Sequence, residues 1–294
     1  MLKFFTRALA ALAFLLTPSA YAQVAQDADP ALWVVQDEDT TIYLFGTVHA
    51  LRPGMSWFDE AVKDAFDKSD EVMLEMVMPD LAALQGVVMK LARNPGGPTV
   101  TELLPEDKRA PYHAALTAVG IPPAALDGFD PWFPAITLSG LSLTKSGYDP
   151  EQGVEKVITQ AAKDAGKPVG GLETPEPLLG YFDGLSQPVQ VKFLVGTITE
   201  LPKMGESLDA LVVKWAKGDP KGLGKLMNVG MADTPELAKA LLYDRNARWA
   251  DWIAERMKKP GTVFIAVGAG HLAGPNSVQD YLKKRKLRTR RIKY

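Results

Sequence analysis

Two of the three histidines in the chain end the same short motif. His49 ends Gly46-Thr47-Val48-His49 and His271 ends Gly268-Ala269-Gly270-His271, each directly after a run of strand-forming residues. A glycine ahead of each histidine permits a tight backbone turn that directs the imidazole back over the strand end. An imidazole at such a position can bind a divalent metal or transfer a proton.

Two glutamates are candidates for the same chemistry. Glu75 interrupts the apolar run from Val72 to Met76, and Glu173 ends a strand-like run that begins at Val169. A carboxylate inside an apolar run needs a partner or a task. The structural alternatives are that Glu75 faces water on an edge strand and that Glu173 caps the helix after Pro175.

The remaining polar candidates have weaker signals. Arg245 and Asn246 lie among apolar helix positions, where a salt bridge and a substrate contact are equally compatible with the pattern. His113 lies in a helical run and is interpreted as a surface or packing residue. The chain has no cysteine, so any metal must be held by His, Asp, Glu or backbone oxygen.

The elements that must position these side chains alternate between strand and helix. Strands are predicted at Leu32 to Gln36, Thr41 to Phe45, Val72 to Met76, Val169 to Glu173 and Thr262 to Val267, followed by a basic terminal strand. Helices are predicted at 57–66, 153–165, 188–217, 234–258 and 277–284, with a mostly helical middle. The first two strands predict a hairpin across Asp37 to Thr40.

This order predicts an α/β fold with a central mixed or mostly parallel sheet flanked by helices, and a largely helical middle insertion. Ligands of such sheets bind beyond the carboxyl ends of the parallel strands. We therefore expect His49, Glu75, Glu173 and His271 to meet at one sheet edge. The imidazole nitrogens of the two histidines should lie within about 4–7 Å of each other if both contact one ion, and His113 should lie elsewhere.

Composition narrows the class of protein. Of 294 residues, 47% are hydrophobic and 23% are charged, which is typical of a globular chain with a large core. The formal net charge of −2 gives no overall basic excess, so we expect no nucleic-acid partner. Zero cysteines exclude thiolate metal sites, disulfides and a cysteine nucleophile.

The first 22 residues have the order of a secretory signal peptide. Lys3 and Arg7 precede an apolar run from Ala8 to Leu16, and Ala20-Tyr21-Ala22 forms a small-x-small cleavage site before Gln23. The alternative is an uncleaved anchor, although the run is short for a bilayer. Loss of two positive charges takes the formal charge from −2 to −4. We expect a periplasmic or secreted domain over 23–294, with no later membrane segment.

The successive motifs resemble those of the TraB/GumN family, which includes the Tiki proteins. The residues that carry the likeness span most of the mature chain: Tyr43-Leu-Phe-Gly-Thr-Val-His49, Ser69-Asp-Glu-Val-Met-Leu-Glu75, Gly171-Leu-Glu-Thr174, Arg245-Asn246 and Gly268-Ala-Gly-His271. The resemblance implies a fold akin to the erythromycin esterase and ChaN-like superfamily. Tiki relatives are metal-dependent proteases, and carrying over their motif residues implies roles for His49, His271 and Glu75. Gly153-Val-Glu155 departs from the expected Gly-x-Asp.

These observations lead to a first hypothesis of an exported, metal-dependent hydrolase of the peptidase type. His49, His271 and Glu173 would hold one Mn, Co or Zn ion, and Glu75 would complete the shell or activate water. Arg245 and Asn246 would contact a peptide or small-molecule substrate. A metal-free acid/base site is the rival within enzymes, and a non-catalytic peptide- or metal-binding protein is the rival from another class.

Overall fold

The computed structural model describes residues 26–231 and 234–294. The predicted signal peptide over 1–22 and its cleavage point before Gln23 lie outside the described residues. Across the described ranges, no helix combines the length and apolar character that crossing a bilayer requires.

The strands form one large mixed sheet and one small ribbon. The strands are β1 (Gln26–Asp27), β2 (Leu32–Gln36), β3 (Thr40–Thr47), β4 (Met55–Ser56), β5 (Glu71–Met76), β6 (Val169–Glu173), β7 (Gly261–Gly268) and β8 (Arg290–Ile292). The six-stranded sheet has the order β6-β5-β7-β3-β2-β8, and β1 pairs with β4. Neighbours from β6 to β3 are parallel, while β2 runs antiparallel to both β3 and β8. The expected α/β fold is confirmed.

Helices occupy most of the rest of the described chain. They are α1 (Glu60–Lys68), α2 (Leu81–Leu91), α3 (Val100–Leu103), α4 (Glu106–Ala118), α5 (Trp132–Lys145), α6 (Val154–Asp164), α7 (Pro175–Asp183), α8 (Gln187–Glu200), α9 (Met204–Ala216), α10 (Pro220–Met231), α11 (Pro235–Ala238), α12 (Asp244–Arg256) and α13 (Val278–Lys284). The helices α2 to α6 lie between β5 and β6, where the sequence predicts a helical middle.

The central parallel strands β5, β7 and β3 are largely buried and packed on both faces, which explains their nearly continuous apolar sequences. On one face, Phe45 and Phe264 pack with Phe66 of α1 and Ile158 of α6. On the other face, Ile265 packs with residues of α12 and α13. A separate apolar cluster joins α4, α5 and α8 in the helical part. The sheet is therefore a rigid platform for whatever projects from its carboxyl edge.

Some predicted boundaries are wrong for local reasons. The predicted helix at 57–66 begins at Glu60, because Trp57 stacks on Phe45 in the core with ring centroids 5.7 Å apart. The predicted helix at 188–217 is divided by a 3-10 turn, Leu201–Lys203, at Pro202, which cannot donate an intrahelical hydrogen bond. The predicted helix at 234–258 contains a π-helical turn, Lys239–Tyr243, immediately ahead of Arg245.

Candidate active site at the carboxyl edge of the sheet

The carboxyl ends of β3, β5, β6 and β7 lie at one edge of the sheet, and Gly268 marks their meeting point. A β-carbon placed on Gly268 would lie 2.9 Å from Glu75 Oε1, 3.6 Å from His271 Cδ2 and 3.7 Å from His49 Nε2. Side chains from three separate chain segments thus surround the α-carbon of one glycine. A larger residue at position 268 would fill the space between them.

His49 is held by a carboxylate from the first turn of α6. Its Nδ1 lies 2.6 Å from Glu155 Oε1, which also accepts the Thr47 hydroxyl at 2.5 Å. Gly153 makes this contact possible, since a β-carbon there would lie 2.2 Å from the His49 carbonyl oxygen. The Val154 amide donates to the Val48 carbonyl at 3.0 Å and docks the helix start on the histidine loop. With Nδ1 bonded to Glu155, Nε2 is the nitrogen turned toward Gly268.

His271 is held from the side of α12. Its Nδ1 lies 2.6 Å from Asn246 Oδ1, and Asn246 Nδ2 donates to the Asn276 carbonyl at 2.8 Å. Because Asn246 Nδ2 donates to the Asn276 carbonyl, the oxygen of the same amide faces the His271 ring. His271 Nδ1 must therefore carry the proton. The Trp249 ring covers the imidazole, with centroids 4.3 Å apart. The second nitrogen, Nε2, lies 3.5 Å from Glu75 Oε1.

Arg245 connects the acidic groups. Its Nη2 donates to Glu75 Oε2 at 2.7 Å, its Nε donates to Glu173 Oε2 at 2.9 Å, and its Nη1 lies 3.2 Å from His271 Nε2. The guanidinium also lies over the Trp249 ring, 4.7 Å from its centroid. Side-chain exposure is only 5% for Arg245 and 6% for Glu173, so this is a buried ion-pair network.

The environment separates the proton affinities of these groups. Glu155 raises the pKa of His49 to about 9, although the His49 side chain is 75% exposed. Burial lowers the pKa of His271 to about 4. Burial alone would raise the pKa of Glu75, but the neighbouring His271, Arg245 and His49 and the Gly268 amide together lower it to about 2. At neutral pH the site therefore holds a cationic His49, a neutral His271 and an ionised Glu75.

The sequence of the chain matches one known protein family. Residues 31–291 match the sequence model of the TraB/PrgY/gumN family. The chain belongs to this family. A protein of Treponema pallidum (strain Nichols) described as "Uncharacterized protein" is 22% identical over 277 residues, covering 87% of this chain and 80% of that protein. The "Uncharacterized protein YbaP" of Escherichia coli (strain K12) is 23% identical over 257 residues, covering 86% of this chain and 92% of the relative. No solved structure matches the chain significantly.

In this TraB-family chain, the expected meeting of residues at the sheet edge occurs. His49, Glu75, Glu173 and His271 all lie there, while His113 bonds to Thr101 Oγ1 at 2.9 Å in the helical part. The edge-strand alternative for Glu75 is wrong, because β5 lies between β6 and β7.

The cap interpretation of Glu173 is also wrong. Thr174 occupies the N-cap position of α7, and the two Glu173 oxygens accept hydrogen bonds from Arg245 Nε and from Trp249 Nε1 at 3.2 Å. Its predicted role as a metal ligand stays a prediction, and those bonds favour a role in holding Arg245. Arg245 and Asn246 are buried, at 4% and 2% exposure, and each orients a site residue. Their predicted substrate contacts stay predictions.

Glu155 is the site residue whose role the sequence leaves open. Its only signal is its place in Gly153-Val-Glu155, the motif that departs from the family pattern. Glu155 stands where the family pattern has Asp. Its carboxylate contacts His49 Nδ1, because α6 docks against the loop after β3.

Proposed function

We propose that this TraB-family chain is an exported, metal-dependent hydrolase of the peptidase type. The observation that carries the proposal is the convergence of His49 Nε2, His271 and Glu75 Oε1 around Gly268. Two imidazoles and a carboxylate are a donor set that suits Mn, Co or Zn. The peptidase type rests on the resemblance to the Tiki proteins.

The hydrogen bonds behind the two imidazoles fit such an ion. Histidines that bind a metal ordinarily donate the other ring N–H to a carboxylate or carbonyl oxygen, which fixes the tautomer. Glu155 supplies that acceptor for His49 and Asn246 supplies it for His271. The lone pair of the neutral His271 lies at Nε2, 3.2 Å from Arg245 Nη1, so an ion would have to displace this Arg245 contact as well as the proton on His49.

The charge balance also fits a divalent cation. Glu75, Glu155 and Glu173 face the guanidinium groups of Arg245 and, at 3.7 Å from Glu173, of Arg248, so loss of the His49 proton would leave one uncompensated negative charge. Excess negative charge in a mostly buried network is costly unless a cation compensates it. His49, His271 and Glu75 would hold the ion, while Arg245 keeps Glu75 and Glu173 in place.

The site residues differ in exposure and in their contacts, and these differences assign them different roles in the proposed reaction. A divalent ion at this place would supply Lewis-acid polarisation of a substrate carbonyl. His49 is the exposed member and faces an incoming substrate first. Glu75 Oε1 accepts the Gly268 amide at 2.6 Å, which would orient this carboxylate as a ligand of the ion.

Arg245 favours a second candidate, a metal-free acid/base hydrolase. Among the residues that the structure describes, no three His, Asp or Glu side chains are already gathered in a metal-binding arrangement. Arg245 Nη1 lies 3.2 Å from His271 Nε2, and Nη2 donates to Glu75, so the guanidinium itself supplies positive charge beside these groups. In this candidate, His49 would transfer the proton and Glu155 would hold its ring.

Turnover of a peptide library tests the proposal. Wild type should cleave at least one peptide, chelator should abolish cleavage, and Mn, Co or Zn should restore it. His49→Ala and His271→Ala should be inactive, whereas His113→Ala, the matched control away from the site, should retain activity. Cleavage that chelator does not affect would support the metal-free candidate. Binding without cleavage would contradict both and support a binding protein.

Export is proposed on the order of residues 1–22, and it has a separate test. The mature protein should begin at Gln23 in a periplasmic or secreted fraction. Retention of Met1 in a membrane fraction would contradict cleavage and support the anchor alternative.

A further inference from the structure

The last twelve residues concentrate positive charge that the proposed site does not use. Residues 283–294 contain eight Lys and Arg and no acidic residue, while the rest of the chain has 25 Lys and Arg against 35 Asp and Glu. The formal charge is therefore +8 in this segment and −10 in the remainder. Such an asymmetry creates a directed field even though the net charge is near zero.

Most of these cations face solvent without a carboxylate partner. Two are partly buried and engaged: Arg285 pairs with Asp251 at 2.6 Å, and Arg291 lies over the Trp33 ring. The other six are exposed, and within the described ranges none lies within 4.0 Å of a carboxylate oxygen. We name these six the C-terminal basic patch: Lys283, Lys284, Lys286, Arg288, Arg290 and Lys293.

The fold directs most of this patch away from the candidate site. Arg290 lies opposite Val34 and Ile292 lies opposite Leu32, which in turn lies opposite Phe45 near the site end of β3. The residues that precede Arg290 therefore lie toward the opposite ends of the strands, where β3 begins. A surface that contacts them leaves the carboxyl edge open to solvent.

Acidic residues near the patch reduce its field without neutralising it. The β2–β3 hairpin at the same end carries Asp37, Glu38 and Asp39. Asp37 and Asp39 accept hydrogen bonds from the backbone or hydroxyl of Thr40. No ion pair joins these three carboxylates to the described basic side chains.

We propose that the C-terminal basic patch binds the anionic headgroup layer of a phospholipid membrane. Exposed Lys and Arg side chains gather at such a surface within about a Debye length, roughly 8–10 Å. The remainder of the chain carries −10, so an anionic lipid surface is attracted to the molecule where the patch faces it and is repelled elsewhere. The contact is peripheral and reversible, because the patch supplies charge and no exposed apolar stretch.

Vesicle sedimentation with two variants of equal charge tests the proposal. One variant carries Lys283→Gln, Lys284→Gln, Lys286→Gln and Lys293→Gln. The control carries the same change at four exposed lysines elsewhere: Lys163, Lys192, Lys203 and Lys225. All preparations must have the same N-terminus by mass, so that only the position of the lost charge differs.

Wild type and control should sediment with phosphatidylcholine vesicles that contain phosphatidylglycerol, but not with phosphatidylcholine alone. The patch variant should partition about six-hundredfold less, since each of the four surface Lys is worth about fivefold. Raising the salt from about 0.05 M to about 0.5 M should release the wild type.

Three results would overturn the proposal. In the first, the patch variant binds as wild type does, or neutral vesicles bind equally well. In the second, inorganic phosphate at constant ionic strength displaces the vesicles, which would indicate a discrete phosphate site. In the third, duplex DNA competes as strongly as anionic lipid. The assay contains no substrate, so this proposal and the hydrolase proposal fail separately.

Discussion

Replacing Arg245 by leucine should destabilise the protein more than almost any other single change at the site. The substitution leaves Glu75 and Glu173 without their main cation, with side-chain exposures of only 13% and 6%. Removing one partner of a buried ion pair costs about 3–5 kcal/mol, because the remaining charge stays desolvated. The lowered pKa of Glu75 agrees in sign, because His271, Arg245, His49 and the Gly268 amide together hold it at about 2 against the effect of burial.

The pH dependence of this loss identifies its cause. In the wild type, the pKa of Glu75 is lowered, so its stabilising effect is present above about 4.5 and is lost as pH falls toward about 2. In Arg245→Leu, burial instead raises the pKa of the Glu75 carboxyl, so acidification from about pH 7 to about pH 5 should recover stability. The free-energy difference between variant and wild type should therefore narrow at the lower pH.

Urea denaturation at both pH values measures these free energies. The matched control is Arg248→Leu, because that guanidinium is 49% exposed and lies 3.7 Å from Glu173. Its loss should cost no more than about 1 kcal/mol. Equal unfolding midpoints for Arg245→Leu and Arg248→Leu, or a difference from wild type that grows on acidification, would refute the buried-network reasoning.

Three further predictions concern Glu155, Gly153 and the N-terminus of the secreted form. Glu155→Gln should lower the pKa of His49 from about 9 toward 6.5, and Glu155→Asp should partly retain the shift; an unchanged NMR titration of the His49 ring would contradict the pairing. Gly153→Ala should destabilise the protein by at least about 1–3 kcal/mol in thermal unfolding, because its β-carbon would clash with the His49 carbonyl. The control Gly180→Ala has open space and lies within a helix, so it should be neutral or stabilising by up to about 1 kcal/mol; equal effects of the two glycine variants would contradict the close approach. The secreted form should begin at Gln23 by mass spectrometry.

The positions of the two histidine motifs follow from where their strands end, and the predicted ends at Phe45 and Val267 lie within two residues of those observed. Apolar runs and glycine breaks indicate the strands, and parallel pairing brings their carboxyl ends to one edge. His49 and His271 could therefore be assigned to one site although they are far apart in sequence. The same reasoning placed Glu75 and Glu173 there.

The hydrogen-bond partners of those residues could not be predicted in this way. Glu155 reaches His49 across 106 residues, and Arg245 reaches Glu75 across 170. Such contacts depend on how α6 and α12 dock on the sheet, and local periodicity carries no information about docking. Helix boundaries failed where a proline or a core aromatic overrode the apolar spacing, as at Pro202 and Trp57.

Direct metal titration tests the central claim, that His49 and His271 share one divalent-ion site. Calorimetry of Mn, Co or Zn binding to the wild type should give one ion per chain, with proton release as His49 loses its proton. His49→Ala and His271→Ala should each weaken binding by at least about tenfold, and His113→Ala should bind as the wild type does. Equal metal affinity in His49→Ala, His271→Ala and wild type would contradict the shared site.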